Sequence, residues 1–479
     1  MFVCLLAFVV LLTACTGGAP VVPPTQPPAA TSAAKPVATS APSPTVAPTT
    51  PPTAPPAPKP TVVVPSSSPP ASPVASPSPN PVTGVLVPPT PTIAPASQLI
   101  GPIKIVSSLP RAGNTKNATD SMVMAIKMAL DEIGGRLEGA SVVYEDWDDA
   151  SPSTSAWDKD KEAENANRAV NDPDVMVYIG PLSSNAARVS IPILNQANLG
   201  MVSPSASYVG LTRGGAGAGA PNEPNVYYPS GKRNFVRVVP ADDVQGAMAA
   251  QWAKQLGASR VYVLDDADPY GKAIAASFAE TASKLGLQVA AGPESVNPRA
   301  RDFTGIAAKI RDTGNVELVY YAGLTDDNGG LLFKELRRTL GPNVRLMGAD
   351  GLYQQGFLDE AGDGAEGALL TFGTVAPSKL TGRGAEWYRS YRVRFNAEPD
   401  TYAPYAYEAI KVALDAIKRA GKKDRALIRD ALLATRDYDG ILGRFSFDAN
   451  GDTTLTTISG REVKNGKFDD TNAVTLQAQ

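Results

Sequence analysis

Small hydroxyl residues just past apolar runs are the side chains of this chain best placed for chemistry. Gly180-Pro181-Leu182-Ser183-Ser184-Asn185 follows one run and Ser203-Pro204-Ser205-Ala206-Ser207 follows another. Beside the first turn of a helix, where backbone N–H groups lack partners, a serine hydroxyl helps to cradle an anion or carboxylate. Serine also caps helices, and either loop alone favours that plainer role. Two such loops at neighbouring strand ends shift the balance toward a carboxylate site. A second set of loops is acidic and aromatic: Asp265-Asp266-Ala267-Asp268-Pro269-Tyr270-Gly271, Ala322-Gly323-Leu324-Thr325 and Gly348-Ala349-Asp350-Gly351. Asp350, held between small residues, is placed either to meet a cationic ligand group or to serve as an ordinary turn aspartate. Asp265, Asp266 and Asp268 lack the remaining ligands of a calcium loop and read as solvated.

What the chain lacks narrows its chemistry further. It contains no histidine, which removes Ser-His-Asp and Cys-His nucleophile systems and His-ligated zinc. An enzyme is therefore disfavoured, and no cofactor is expected. The net charge of -3 comes without any run of Lys or Arg, so nothing marks a nucleic-acid partner.

The elements that must position these loops alternate short β-rich runs with amphipathic stretches, the pattern of parallel α/β sheets. Strands are predicted over Ile103 to Val106, Ser141 to Glu145, Val175 to Ile179 and Leu199 to Val202. Helices are predicted over Asp120 to Ile133, Ala156 to Asn171 and Asn185 to Gln196. A second series then opens with strands over Phe235 to Val239, Val261 to Leu264, Leu287 to Ala291, Leu318 to Tyr321 and Arg345 to Met347. Its helices fall around Val244 to Leu256, Lys272 to Leu285, Phe303 to Thr313 and Gly330 to Leu340. Two doubly wound units in series are the economical reading, with the site in the crevice at the carboxyl ends of the strands.

The first residues carry an address. An apolar run from Phe2 to Leu12 stops at Leu12-Thr13-Ala14-Cys15, which resembles a bacterial lipobox and is shorter than the roughly 20 residues a bilayer span needs. That resemblance implies that residues 1–14 are a signal peptide, that Cys15 carries the lipid and that the protein is extracytoplasmic and anchored to the cell membrane. Cys4 and Cys15 are the only cysteines, so no structural disulfide remains after processing. From Cys15 to Gln98 the chain is almost wholly Pro, Ala, Ser, Thr and Val, with Lys35 and Lys59 its only charges and no Phe, Trp or Tyr to bury. Such a segment builds no core and reads as a disordered tether.

The order of motifs over Ile103 to Gln479 resembles the extracytoplasmic leucine/isoleucine/valine-binding proteins. The resemblance rests on Tyr178-Ile179-Gly180-Pro181-Leu182-Ser183-Ser184, Val202-Ser203-Pro204-Ser205-Ala206-Ser207, Asp268-Pro269-Tyr270-Gly271, Val319-Tyr320-Tyr321-Ala322-Gly323, Gly348-Ala349-Asp350-Gly351 and Gly443-Arg444-Phe445-Ser446-Phe447-Asp448 with Gly451-Asp452. It implies an α/β fold of two doubly wound parallel-sheet lobes joined by three crossovers, the type I periplasmic-binding-protein fold. Lobe 1 is expected over 99–241 and 374–437, and lobe 2 over 242–373 and 438–479. It further implies that Ser184, Ser205 and Ser207 hold the carboxylate and ammonium of an amino acid, that Asp350 faces the ammonium, that Tyr270 closes the cleft from lobe 2 and that Tyr402 walls the side-chain pocket. Asp242 joins this ligand-facing set. Asn117 and Leu324 stand where tyrosines occur in such proteins, and Asp350 is shorter than the glutamate found in several of them, so the pocket is expected to be wider and differently polar. The implied function is capture of an amino acid or related small solute for the permease subunits of an ABC importer. A ligand-sensing receptor subunit on the same lobes is the alternative. The Gly- and Pro-rich stretch from Gly214 to Lys232 is expected outside the cleft, and Trp147 is expected to pack on its own lobe.

Overall fold

The computed structural model describes residues 99–151, 156–214, 219–373 and 376–477. Cys15 and the Pro-rich segment through Gln98 lie outside the described residues. In chain order the first unit contains β1 (Ile103–Leu109), α1 (Lys116–Glu132), β2 (Arg136–Leu137), β3 (Ala140–Asp148), α2 (Lys159–Asn171), β4 (Val175–Ile179), α3 (Ser184–Gln196), β5 (Gly200–Ser203) and β6 (Phe235–Arg237). Then come α4 (Asp242–Gln255), β7 (Arg260–Asp265), α5 (Pro269–Lys284), β8 (Gln288–Ser295), α6 (Thr304–Thr313), β9 (Leu318–Ala322), α7 (Gly329–Leu340), β10 (Arg345–Gly348), α8 (Gln355–Ala361) and β11 (Leu369–Phe372). The chain closes with α9 (Arg383–Phe395), α10 (Ala403–Ala420), α11 (Arg425–Leu433), β12 (Tyr438–Gly440), β13 (Gly443–Phe445), β14 (Thr457–Lys464) and β15 (Lys467–Gln477).

These strands form two large sheets. The first has the order β2-β3-β1-β4-β5-β6 and the second β15-β14-β11-β10-β9-β7-β8. Apart from β2, the first sheet is parallel; in the second, β14 and β15 run antiparallel beside five parallel strands. All five residues of β4 and all five of β9 are buried, as expected of strands covered by helices on both faces. At two helix starts short polar side chains replace missing partners: Asp158 accepts from the Asp160 and Lys161 N–H groups at α2, and Asp424 does the same for Ala426 and Leu427 at α11.

The chain passes between the sheets three times. It leaves the first after β6, returns after β11 so that α10 packs against α1, and leaves again between β13 and β14. One buried ion network ties two of these passages together. Arg237, fully buried at the end of β6, donates to Asp452 at 2.8 Å, while Arg213 donates to Asp452 at 2.7 Å and to both oxygens of Asp243 in the first turn of α4. Strand and loop of lobe 1, the last connection and a helix of lobe 2 thus share one set of charges.

Four local outcomes bear on the expectations. Phe235, predicted to open the second series, instead closes the first sheet, because β6 pairs with β5 in the register Met201↔Phe235. The acidic loop after β7 is not solvated: Asp265 and Asp266 are buried, Asp265 accepting from Ala267 N–H and the Ser295 hydroxyl and Asp266 from Asp268 N–H. These carboxylates fold the turn by bonding to backbone two residues on, a role short acidic side chains perform well, and among the described residues no acidic cluster is arranged to hold a metal ion. Trp147 packs in the lobe 1 core, its indole N–H donating to Glu145 at 2.9 Å and Arg168 lying 4.1 Å over its ring. In the Gly- and Pro-rich stretch, of which residues 215–218 lie outside the described residues, the buried Glu223 accepts from the Tyr208 and Tyr227 hydroxyls and from Ala220 N–H, which pins residues 220–227 to lobe 1 away from the cleft.

Several other carboxyl groups are buried without an ion-pair partner in contact. Burial pushes Glu162 and Glu408 up to about 7 and Asp400 up to about 6, against the hydrogen bonds each accepts. Such groups ordinarily titrate near 4 when unfolded. Between roughly pH 4 and 7 the folded state therefore binds more protons than the unfolded one, and stability falls as pH rises through that window. The melting temperature is expected to be higher at about pH 5 than at about pH 8 at fixed ionic strength. Glu408→Gln should flatten the slope, since a shift of this size corresponds to a few kcal/mol. A melting temperature that drops steadily on acidification from pH 8 to 5 would contradict this reading.

Candidate functional site

The strand ends of both sheets converge on one cavity of about 80 Å³, room for several waters or one small solute. From lobe 1 the wall comes from the loops after β1, β3, β4 and β5; from lobe 2 it comes from the loops after β7, β9 and β10, with Tyr402 at the start of α10 completing it. The cleft rule for open parallel sheets thus holds for both units.

Gly180 makes the first of these turns possible. Its φ is +119°, and a Cβ there would lie 2.4 Å from the Ser108 carbonyl oxygen, so only glycine lets β4 end against β1 and release the chain toward α3. The serines that follow divide the work. Ser183 caps α3 by accepting from Asn185 N–H at 3.1 Å, and Ser203 accepts from Ser205 and Ala206 N–H at 3.2 and 2.8 Å. The helix-capping role expected of such loops therefore falls on Ser183, while Ser203 folds the turn after β5, and Ser184, Ser205 and Ser207 stand on the cavity wall. The Ser184 oxygen accepts from Tyr208 N–H at 3.2 Å, which leaves its own proton free to donate. The Ser205 hydroxyl donates to the Leu182 carbonyl at 2.8 Å and keeps its acceptor capacity.

Lobe 2 contributes the charge. Asp350, buried, opens a 3-10 turn after β10 and accepts from the Tyr270 hydroxyl at 2.9 Å on one oxygen and the Tyr402 hydroxyl at 3.0 Å on the other. Burial raises its carboxyl above the usual range, while these hydroxyls favour the ionised form. Tyr270 is oriented in turn by Gly351 N–H, which donates to its oxygen at 3.1 Å. Pro269 at the first position of α5 starts that helix three residues before the predicted Lys272, and this brings Tyr270 into the first turn facing the cleft. Tyr402 reaches Asp350 from the helix that packs on α1, so this hydrogen bond crosses from lobe 1 to lobe 2, as does Asn185 donating to Asp268 at 3.1 Å.

Of the residues singled out in the sequence, Ser184, Ser205, Ser207, Tyr270, Leu324, Asp350 and Tyr402 share the cavity wall. Asp242 does not reach it. It is fully buried behind Ser207, whose carbonyl accepts its N–H at 3.0 Å, and neither carboxylate oxygen makes a hydrogen bond of normal geometry. Burial, with the Asp350 charge adding to it, pushes this carboxyl well above the usual range, although the Ser207 hydroxyl and Arg237 oppose the shift. Asn117 is exposed in the first turn of α1 and outside the wall, where Thr115 takes the corresponding place. Sequence reasoning passed over Thr115, Trp157, Leu182 and Gln354. Trp157 was assigned to the interior of a helix beginning at Ala156, but the Asp158 cap starts α2 at Lys159 and leaves the tryptophan in the loop before it.

The sequence pattern of periplasmic binding proteins matches residues 102–467. The chain is 26% identical to a Leu/Ile/Val-binding protein from Rhizobium johnstonii, over 75% of this chain and 91% of the relative. It is 26% identical to a leucine-, isoleucine-, valine-, threonine- and alanine-binding protein from Pseudomonas aeruginosa, over 73% of this chain and 87% of the relative. The crystal structure of a leucine-binding protein from Thermotoga maritima superposes with a TM-score of 0.66 at 26% identity, covering 78% of this chain and 98% of that one.

The Tyr402–Asp350 bond makes closure testable without any ligand. Tyr402→Phe keeps the ring against Phe372, whose centroid lies 4.7 Å away, and removes only the donor. A lost hydrogen bond to a charged group costs about 1.5–3 kcal/mol, and here that loss falls on the closed arrangement. Small-angle scattering is expected to give a larger radius of gyration for the variant, with little change in secondary structure by circular dichroism. Superimposable scattering curves would show that this bond does not hold the lobes together.

Proposed function

The chain belongs to the periplasmic binding protein family, and from that premise we propose that it is a lipid-anchored extracytoplasmic protein that captures a small amino acid for an ABC importer. The observation that carries the reading is the division of polarity across the cleft. Lobe 1 offers the Ser184 hydroxyl and the first turn of α3, groups that donate to a carboxylate. Lobe 2 offers Asp350, and among the described residues that line the cavity there is no Lys or Arg to neutralise it. A zwitterion supplies both missing partners at once. Names borne by the relatives, for leucine, isoleucine and valine binders, point to the same ligand class.

No covalent step is required. Opening and closing of the lobes about their three connections would admit the solute and enclose it, with contacts such as Tyr402 to Asp350 made only when closed. Delivery would then be opening against the importer's permease subunits. The anchor would be the lipid on Cys15, which follows the apolar run from Phe2 to Leu12.

Two experiments test the proposal. Against a panel of amino acids, calorimetry on Asp350→Ala is expected to show a loss of roughly 30-fold to several thousand-fold, the cost of leaving a buried ammonium unpaired. Ser184→Ala should lose less, about 1–3 kcal/mol, because neighbouring N–H groups still hold the carboxylate. Parent-like affinity in a folded Asp350→Ala protein would mean that the ligand carries no ammonium there. For the anchor, labelled fatty acid should be incorporated into the parent and not into Cys15→Ala, and persistent labelling of the variant would remove Cys15 from the account.

A further inference from the structure

We infer that Gln354 is a specificity residue and that the ligand's side chain carries a neutral hydrogen-bonding group, an amide or a hydroxyl. The inference rests on the reading of the cleft as an amino-acid site. If the α-carboxylate and ammonium occupy the serine loops and Asp350, the side chain is left with the remainder of the wall, notably Trp157, Leu182, Leu324, Thr325 and Gln354.

Most polar side chains of the cavity are already committed within the protein. The Thr325 hydroxyl donates to the Gly351 carbonyl at 3.0 Å, Asn185 to Asp268 at 3.1 Å, and Asp350 accepts from two tyrosines. Gln354 differs. Its amide oxygen is buried and has no hydrogen-bond partner, although the residue forms part of the cavity wall.

The backbone that carries this amide is firmly held. Gln354 N–H donates to Leu352 at 2.8 Å, its carbonyl accepts from Phe357 N–H at 3.1 Å, and the preceding Tyr353 stacks on Phe468 at 3.9 Å with Arg461 lying 4.6 Å over its ring. An unpaired buried amide costs about 1–3 kcal/mol. An aliphatic ligand side chain leaves that cost in place, whereas an amide or hydroxyl removes it. A site built this way rejects the isostere that lacks the polar group. An anionic side chain is disfavoured by Asp350 and by the absence of Lys and Arg among the described lining residues.

Isosteric pairs read the hydrogen bond without a change of shape. Calorimetry of the full chain with threonine against valine, and with asparagine against leucine, is expected to give at least one pair in which the polar member binds roughly 10- to 100-fold tighter. In Gln354→Leu that ratio should collapse or invert, because the variant replaces the amide by an apolar group of similar size. Circular dichroism and melting of the variant check that it is folded, and Gln354→Met, which is flexible and unbranched, serves as a second variant expected to give the same loss. Equal or tighter binding of valine and leucine by the parent would overturn the inference, as would a ratio that both variants leave unchanged. If the parent binds none of the amino acids, the amino-acid reading fails and this inference with it; if it binds them and the ratios do not move, only Gln354 loses its role.

Discussion

A carboxylate buried between two lobes without a cation beside it is the constraint on which the rest of this structure turns. Removing a charged group from water is expensive unless it is hydrogen-bonded or paired. Asp350 meets that requirement only in part, through one tyrosine hydroxyl on each oxygen and the Gln245 amide. Each of those hydroxyls makes a demand on the fold. Tyr270 must sit in the first turn of α5, which Pro269 starts, and Gly351 must donate to it; a Cβ at residue 351 would stand 2.7 Å from the Gly323 carbonyl oxygen, so the loops after β9 and β10 pack this closely only because that residue is small. Tyr402 must come from the other lobe, which places the second passage of the chain, from β11 to α10, beside the cleft. The edge-to-face contact of Phe372 with Tyr402, centroids 4.7 Å apart, makes the end of β11 and the start of α10 one packed unit at that passage.

The second polar centre, Arg237 and Arg213 with Asp452 and Asp243, has a different character. Its charges balance within the protein, and its carboxylate Asp452 is held below the usual range by the two guanidinium groups despite burial. Buried ion pairs of this kind add little net stability but are costly to break singly, which makes them better at fixing one arrangement than at strengthening it. Here the fixed arrangement is that of the connections. Arg213 bridges lobe 1 to α4 while Arg237 ties β6 to the last crossover, so on the proposed reading the lobes would move about this cluster rather than through it. The unbalanced charge of the cleft and the balanced charges of the connections thus separate binding from mechanical support.

The architecture was legible where burial is two-sided. Val175 to Ile179 and Leu318 to Tyr321 are uninterrupted apolar or aromatic runs, and they are strands at the middle of their sheets. Legibility failed where a single capping residue decides an element's end. Asp158 moves the start of α2 to Lys159 and frees Trp157 for the cleft, while Pro269 lengthens α5 and delivers Tyr270. The apolar run at Phe235 gives no hint of which sheet it joins, because that choice rests on a partner strand more than thirty residues earlier. Acidic residues misled in the opposite direction: Asp265 and Asp266 look solvated in composition, yet they are buried, Asp265 accepting from Ala267 N–H and from the Ser295 hydroxyl at the end of β8, and one oxygen of Asp266 accepting from Asp268 N–H. Gln354 carries no periodicity, cap or motif, and only the cavity around it distinguishes it from any other glutamine.

A consequence of the geometry at Asp350 concerns what a bound cation would exchange. Each carboxylate oxygen has two acceptor directions; the tyrosines occupy one on each, and the Gln245 amide adds a third donor to the group. An ammonium approaching from the cavity would therefore add its charge without displacing either hydroxyl, and it would favour the ionised form that burial alone disfavours. On the proposed reading, the gain is larger in the closed arrangement than in an open one, because only closure brings Tyr402 to the second oxygen and keeps water away from the pair. The ligand's charge and the lobe contact then stabilise the same carboxylate, so each strengthens the case for the other. Differential stabilisation of one arrangement is the only means by which a ligand shifts such an equilibrium, and in this protein it is concentrated on a single buried aspartate.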